Sequence, residues 1–163
     1  MPEARLNRAY LSLGSNIDKE RNMVRAVGLL AEAVRIVAVS AVYETAPAGN
    51  PNQEPFLNAA VVVETPLGWE ALKRDVLGPI EDRLGRRRTA DRNAPRTIDI
   101  DIALFNDEVL DPEIATRAHV AVPLAEVAAD YRLPSIGKTL WEVAAGLPHA
   151  SIRRRSDLNL KGA

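Results

Sequence analysis

The periodicity of apolar residues switches repeatedly between a strand pattern and a helix pattern, and the order of these switches limits the possible folds. Residues 8–14 alternate apolar and polar side chains, which predicts a strand with one buried face. Residues 18–33 carry apolar side chains at helical spacing, beginning with the N-cap candidate Asp18. Residues 34–44 and 56–65 are rich in β-branched residues and predict two more strands.

The following segments complete the pattern. We expect a helix from Gly68 to Gly85 with a kink or break at Gly78-Pro79, because proline removes a helical hydrogen bond. Residues 97–104 predict a last strand. One face of this strand carries Ile98, Ile100, Ile102 and Leu104, and the other carries Asp99 and Asp101. The order strand, helix, strand, strand, helix, strand predicts an α+β fold with a ferredoxin-like βαββαβ core, an antiparallel sheet covered by helices.

The C-terminal region carries weaker patterns. Residues 123–129 and 139–145 predict short helices. Residues 151–163 are read as a polar tail, and the arginines at 153–155 as a solvated run without a role.

Composition restricts the class of protein. The chain has 163 residues, 47% of them apolar, and no cysteine. We therefore expect one domain over residues 1–163, with a core that needs no disulfide. The net charge of −1 argues against a nucleic-acid or membrane partner, since both favour a basic excess. We expect a cytoplasmic protein, because no apolar run resembles a leader or a membrane span.

The near-neutral total conceals a cluster of arginines followed by two carboxylates. The arginines lie at Arg83, Arg86, Arg87, Arg88, Arg92 and Arg96. From composition alone, such a run is most simply a solvated charged loop.

Asp99 and Asp101 give this cluster a possible chemistry. Side chains two apart on a strand share a face and lie about 7 Å apart. Mg²⁺ is usually held by one or two carboxylates together with substrate phosphates, and arginine forks suit phosphate oxygens. The pattern therefore favours metal-assisted phosphoryl transfer, although a pair of exposed strand aspartates remains the alternative.

The chain lacks the usual nucleotide motifs. It has no P-loop lysine after residues 14–16, and no kinase glycine loop. The stiff, proline-rich stretch 45–55 with Phe56 and Asn58 is a second candidate surface, because an amide and an aromatic ring suit a flat heterocycle. Core packing of Phe56 is the simpler alternative.

Several short motifs together resemble one enzyme family. They are LGSN at 13–16, YETAPAG at 43–49, QEPFLNAA at 53–60, IE at 80–81, LGR at 84–86, PRTIDID at 95–101 and PLAE at 123–126. In order and spacing, over about residues 9–147, the chain resembles the 6-hydroxymethyl-7,8-dihydropterin pyrophosphokinases.

The resemblance implies an enzyme of folate biosynthesis that transfers pyrophosphate from ATP to the pterin hydroxymethyl group and releases AMP. It implies that Asp99 and Asp101 hold two Mg²⁺ ions, and that Arg86 and Arg96 act with them in catalysis. The implied ATP contacts are Glu81, Arg86, Arg88, Arg96 and Ile102. The implied pterin contacts are Thr45, Ala46, Ala48, Phe56 and Asn58.

The segment after Asp101 differs from the family pattern. It is several residues short, and Asp111 stands where the family has a histidine, six residues before Arg117. By position, Asp111 and Arg117 are assigned to ATP. His119 replaces the aromatic residue that stacks on the pterin opposite Phe56, and a histidine can titrate near neutral pH.

These differences leave alternatives open. A diverged paralogue that binds pterin or nucleotide with little or no transfer is one. A metal-dependent nucleic-acid enzyme is another, although the balanced charge argues against it.

Overall fold

The computed structural model describes residues 5–45, 54–86 and 95–161. Its strands are β1 (Asn7–Ser15), β2 (Arg35–Val39), β3 (Tyr43–Thr45), β4 (Phe56–Thr65), β5 (Asp99–Phe105), β6 (Glu108–Val109), β7 (Arg132–Leu133), β8 (Lys138–Thr139) and β9 (Ile152–Arg154). Its α-helices are α1 (Lys19–Ala33), α2 (Trp69–Leu72), α3 (Gly78–Arg83), α4 (Ala118–Val127) and α5 (Leu140–Gly146). No helix within these residues is long and apolar enough to cross a membrane.

The main sheet has the order β6-β5-β1-β4-β3-β9, and β2 also pairs with β4. Each of these pairings is antiparallel. Strands β5, β1, β4 and the β2/β3 pair occupy the positions of the predicted βαββαβ core. The predicted α+β, ferredoxin-like arrangement is therefore confirmed.

Among the described residues, apolar side chains pack on both faces of the sheet. On one face, Met23 and Leu30 of α1 pack with Leu72 and Ile80. On the other face, α4 and α5 pack over Ala60 and its neighbours. Strand β4 is thus covered on both sides, which explains its continuous apolar sequence.

The predicted strand 34–44 is split into β2 and β3. At the break, the Ser40 hydroxyl accepts a hydrogen bond from Ala60 N at 2.8 Å. The Glu126 carboxylate accepts from Ala41 N at 2.8 Å and from the Tyr43 hydroxyl at 2.7 Å. A side chain from α4 therefore stabilises the interruption, which local β propensity could not indicate.

The predicted helices are present with local corrections. Asp18 lies at the N-cap of α1 but has a positive φ of 44° and makes no side-chain capping bond. The kink predicted at Gly78-Pro79 takes the form of a π-helical turn, Lys73–Leu77, directly before α3. Gly78 N bonds to Lys73 O, five residues back, and so the chain accommodates the proline that follows. Gly85, with φ of 84°, follows the helix as predicted.

The predicted helix at 123–129 begins five residues earlier, at Ala118, and includes Pro123. Val120, Ala121 and Leu124 are buried against the sheet, and this packing offsets the backbone hydrogen bond that proline removes. The helix predicted at 139–145 is confirmed as α5, with Thr139 and Glu142 forming a capping box at its start.

A β-bulge corrects the predicted facing of β5. Leu11 pairs with Ile102 but Tyr10 pairs with Leu104, so Ala103 is an extra residue. Leu104 therefore packs with Ala103 on the α4 side, away from the three isoleucines. The bulged Ala103 carbonyl accepts from Leu110 N at 2.9 Å and from Asp111 N at 3.1 Å.

The C-terminal segment is not a solvated tail, and this expectation was wrong. Residues 152–154 form β9 on the open edge of β3, and Leu160 is only 2% exposed in the core. Arg153 and Arg155 contact Glu44 on β3. A three-residue strand with two arginines has no apolar periodicity from which it could be predicted. It forms because it pairs with β3, which is distant in the sequence.

We expect Leu160→Ala to destabilise the protein by about 2–4 kcal/mol, because the substitution opens a cavity in the core. Urea unfolding of the variant measures this change. Ile136→Ala is the control, since Ile136 is 46% exposed and its truncation costs little. Equal, small effects of the two substitutions would contradict the packed position of Leu160.

Candidate active site

A cavity of about 640 Å³ opens above one end of the sheet. It is lined by Ser12, Gly14, Thr45, Phe56, Asn58, Arg96, Asp99, Asp101, Asp111, Glu113, Arg117, His119 and Val120. The structure therefore brings together residues that the sequence predicted separately as a metal and phosphate site and as a heterocycle site.

The register of the central strands fixes the floor of this cavity. Gly14 on β1 pairs with Asn58 on β4 and with Asp99 on β5. Two residues earlier on β1, Ser12 pairs with Asp101. Because side chains two apart share a face, both aspartates point into the same cavity as Asn58.

Gly14 leaves space between the two halves of the site. A Cβ at this position would lie 3.1 Å from Asn58 Nδ2. The Asn58 Oδ1 accepts a hydrogen bond from the Thr45 hydroxyl at 2.7 Å, which fixes the amide plane. The amide Nδ2 is therefore directed over Gly14, and a side chain there would crowd it.

The polar residues after Gly14 hold the start of β5. Ser15 Oγ donates to Thr97 O, and Asn16 Oδ1 accepts from Arg96 N at 2.8 Å. Asn16 N in turn donates to Arg96 O at 3.0 Å. In the sequence, residues 14–16 indicated no structural role beyond their place in the LGSN motif. Ser and Asn side chains readily bond backbone groups, so their place at the end of a strand was the available signal for this contact.

Two arginines neutralise Asp99. Arg86 Nη2 lies 3.4 Å from Asp99 Oδ1, and Arg96 Nη1 lies 3.1 Å from Asp99 Oδ2. The Arg96 guanidinium also lies 5.5 Å from the centre of the Phe56 ring. Arg96 therefore connects the charged half of the cavity to the aromatic half.

Asp101 lies in an environment with excess negative charge. Desolvation, together with repulsion of the ionised form by Asp99, Glu81 and Asp111, raises the pKa of Asp101 to about 7. A carboxylate that faces a cavity among other carboxylates is an arrangement that a divalent cation would stabilise.

Glu81 supports the two aspartates from behind. Its Oε2 accepts from Ile100 N, between Asp99 and Asp101, at 2.9 Å. The side chain is 5% exposed, and its carboxylate lies 3.7 Å from Arg86 Nε. Ile102, the other residue assigned to the nucleotide, packs in the hydrophobic core and does not line this cavity.

The shortened segment before α4 places two acidic groups at the cavity wall. Asp111 accepts from Glu113 N at 2.9 Å and so caps the 3-10 turn Pro112–Ala115. Glu113 lies 3.5 Å from Arg117 Nη2. The predicted ATP contacts Asp111 and Arg117 thus line the cavity, where Asp111 accepts from a backbone amide and Arg117 pairs with Glu113.

His119 lies in the first turn of α4 and lines the same cavity. Burial lowers its pKa below the ordinary 6.5, and the nearby Arg117 lowers it further. The lowered pKa favours the neutral form of the ring at pH 7.

Three predicted site residues, Ala46, Ala48 and Arg88, lie outside the described residues. Ser12, Gly14, Glu113 and Val120 line the cavity but were not predicted as site residues. Ser12 lies two residues before Gly14 on β1, so the alternation of side chains along a strand could have indicated that both face the site. Glu113 and Val120 reach the cavity only through the turn that follows the β5 bulge.

The aspartate pair is a small set of metal ligands. Within the described residues there is no group of three or more His, Asp or Glu placed to hold a metal ion. Two carboxylates on one strand face fit Mg²⁺, which commonly takes its other ligands from phosphates and water.

Solved structures share the fold. The wild-type HPPK-DHPS of Plasmodium falciparum, solved with SDX-DHP, superposes with a TM-score of 0.66 over 89% of this chain, at 16% identity. The chain spans 45% of that longer chain. At this identity the similarity concerns the fold.

Curated relatives carry the comparison further. The 2-amino-4-hydroxy-6-hydroxymethyldihydropteridine pyrophosphokinase of Methylorubrum extorquens is 41% identical over 160 residues, covering 91% of this chain and 99% of that protein. The enzyme of the same name from Bacillus subtilis is 43% identical over 133 residues, covering 74% of this chain and 78% of that protein.

The fold and the curated relatives together define an α+β enzyme that transfers a diphosphate group. The family model described as 7,8-dihydro-6-hydroxymethylpterin-pyrophosphokinase matches residues 10–129. The chain belongs to this family, whose members use ATP, and it is a pyrophosphokinase of folate synthesis. The family, fold and activity expected from the sequence are confirmed.

The His119 environment predicts its titration. We expect the midpoint in an NMR titration of the ring to lie below 6.5, because burial and Arg117 disfavour the charged form. The chain has two histidines, so the His149→Gln variant assigns the signals. A midpoint above 6.5 would contradict the buried position of the ring.

Proposed function

We propose that the cavity above Gly14 is where the protein transfers the β,γ-diphosphate of ATP to the hydroxyl of 6-hydroxymethyl-7,8-dihydropterin. In this reaction the hydroxyl oxygen forms a bond to the β-phosphorus. The bond from that phosphorus to the α,β-bridging oxygen breaks, AMP leaves with this oxygen and the bonding electron pair, and the hydroxyl proton is released to solvent. The proposal assigns the pterin to the Asn58 half of the cavity and the triphosphate to the aspartate half.

The observation that carries this proposal is the row Asn58, Gly14, Asp99 across three paired strands. Adjacent strands are about 4.8 Å apart, so Asn58 and Asp99 are separated by roughly 10 Å. A bicyclic heterocycle held at Asn58 has its substituent near the aspartates at this distance. The glycine between them keeps the path open.

The pterin half offers groups suited to a flat, polar ring. Asn58 presents its Nδ2 donor while Thr45 holds its Oδ1. Phe56 and His119 line the same space, and both supply ring faces for stacking. Because the lowered pKa of His119 favours its neutral form, stacking on the ring buries little charge. Ala46 and Ala48, outside the described residues, remain part of this proposed pocket.

The triphosphate half offers carboxylates for metal and arginines for phosphate. We assign Asp99 and Asp101 as ligands of two Mg²⁺ ions, which would neutralise the charge of the triphosphate. Arg86 and Arg96 already converge on Asp99. We assign these two guanidinium groups to the phosphate oxygens, together with Arg88 from outside the described residues and Arg117 at the cavity wall.

The remaining assigned residues act at the margins of this half. Glu81 positions the β5 backbone between the two ligands through Ile100 N. Asp111 adds negative charge near Asp101 and shapes the wall of the cavity. Catalysis in this arrangement consists mainly of positioning and charge neutralisation, as is general for phosphoryl transfer.

We expect Asp101→Asn to reduce turnover by roughly 10³-fold or more, because it removes one of two carboxylate ligands from the proposed metal site. The measurement is release of AMP that depends on ATP, Mg²⁺ and the hydroxymethyldihydropterin. The variant should keep its thermal stability, since Asn relieves repulsion from Asp99 and Glu81. Asp107→Asn, at an exposed turn, is the control. Near-normal turnover of Asp101→Asn would remove the metal assignment.

We expect Gly14→Ala to raise the KM for the pterin roughly tenfold, because its Cβ crowds the Asn58 amide. The KM for ATP should change much less. Gly28→Ala on α1 is the matched control, because nothing lies within 4 Å of a Cβ there. An unchanged pterin KM in Gly14→Ala would contradict a pterin bound over this residue.

A further inference from the structure

Glu44 is the centre of a cluster of charged residues next to the proposed pterin pocket. Its carboxylate lies 3.3 Å from Lys19 Nζ, 2.7 Å from Arg153 Nη2 and 3.0 Å from Arg155 Nη1. The side chains of Glu44, Lys19 and Arg155 are between 14% and 18% exposed. Three cations on one largely covered carboxylate fix its position far better than an isolated surface pair would.

The cluster is joined to the pocket through the backbone on both sides. Glu44 directly precedes Thr45, which pairs with Phe56 and donates to Asn58. Lys19 Nζ also donates to Pro55 O, directly before Phe56, at 3.2 Å. The charged residues therefore contact the last part of β3 and the first part of β4, where three proposed pterin contacts originate.

Two of the three cations come from the C-terminal segment. Arg153 pairs with Glu44 in the sheet, and Arg155 lies two residues further on the same side. Arg155 is itself fixed, because its side chain makes two hydrogen bonds to Asp157 and its N donates to Val42 O at 2.8 Å. Leu160 then inserts into the core and anchors the end of the segment.

We propose that Arg153 and Arg155 are positioning residues for the pterin, acting through Glu44 on Thr45, Phe56 and Asn58. This inference rests on the proposed function, since it requires the pterin to bind at those three residues. The arginines touch no substrate. They hold β3 against β4 so that the Thr45 to Asn58 hydrogen bond is formed before the ring arrives.

The position of the cluster predicts a selective effect. Asp99 and Asp101 lie on β5, and β1 separates this strand from β4 and β3. Loosening β3 therefore adds an ordering cost to pterin binding and leaves ATP binding almost unaffected. A purely structural role would instead lower the fraction of folded enzyme, which reduces the apparent kcat but changes neither KM.

The test is steady-state kinetics of the double variant Arg153→Ala/Arg155→Ala, with AMP release as the signal. We expect the KM for the hydroxymethyldihydropterin to rise roughly threefold to tenfold, and the KM for ATP to change less than twofold. The single variant Arg153→Ala should show a smaller change in the same direction. Because the Arg153 side chain is 71% exposed, Arg153→Ala leaves the core intact. It therefore tests the proposal even if the double variant folds poorly.

Two controls separate position from charge. Arg154→Ala removes the same charge from the same strand, but Arg154 points to the other face and pairs in the sheet with Tyr43. Glu64→Gln removes a carboxylate that two arginines contact, Arg8 at 3.6 Å and Arg35 at 3.8 Å. Glu64 lies six residues along β4 from Asn58, roughly 20 Å away. Both controls should keep the pterin KM.

The outcomes distinguish this inference from the proposed function. If Asn58→Ala raises the pterin KM but neither arginine variant does, the pocket assignment stands and the positioning role is wrong. A fall in apparent kcat with unchanged KM values, or an equal KM change in Arg154→Ala, also overturns it. If Asn58→Ala leaves the pterin KM unchanged, the proposed pocket itself is wrong.

Discussion

Strand β1 pairs with β4 on one side and with β5 on the other, and the rest of the site depends on the register of these two pairings. The register sets Gly14 between Asn58 and Asp99. A shift of one residue on either side would turn Asn58 or both aspartates into the core, because alternate side chains face opposite sides. The core on both faces of the sheet makes such a shift costly. Hydrophobic packing thereby fixes the distance between the two halves of the site.

Charge in the aspartate half is balanced unevenly. Asp99 has two arginine partners, whereas the neighbours that act on Asp101 are carboxylates. Glu81 holds β5 in place against this repulsion through the Ile100 backbone amide, and Ser15 and Asn16 hold the Arg96 and Thr97 backbone directly before β5. The protein thus keeps a negatively charged position ready for cations, and a polar framework around it prevents relaxation. Preorganisation of this kind is what phosphoryl transfer requires of an enzyme.

Sequence patterns predicted the features that depend only on residues close together in the chain. The alternation in β5 placed Asp99 and Asp101 on one face, and the proline at 79 predicted a distortion that the π-helical turn confirms. Features that depend on distant partners were missed. The facing of Leu104 depends on a bulge against β1, the break in β2/β3 depends on Glu126, and β9 exists because β3 offers an open edge and Glu44. The motif resemblance indicated the pterin residues, which chemistry alone could equally assign to the core.

The central claim is that one cavity holds the pterin at Asn58 and the triphosphate at Asp99 and Asp101. A crystal structure with the hydroxymethyldihydropterin, Mg²⁺ and a nonhydrolysable ATP analogue tests it most directly. The account predicts the pterin ring over Gly14, within hydrogen-bond distance of Asn58 Nδ2, and metal ions between the two aspartates and the phosphates. A pterin ring bound away from Asn58, or phosphates bound without contact to a metal on Asp99 and Asp101, would contradict it.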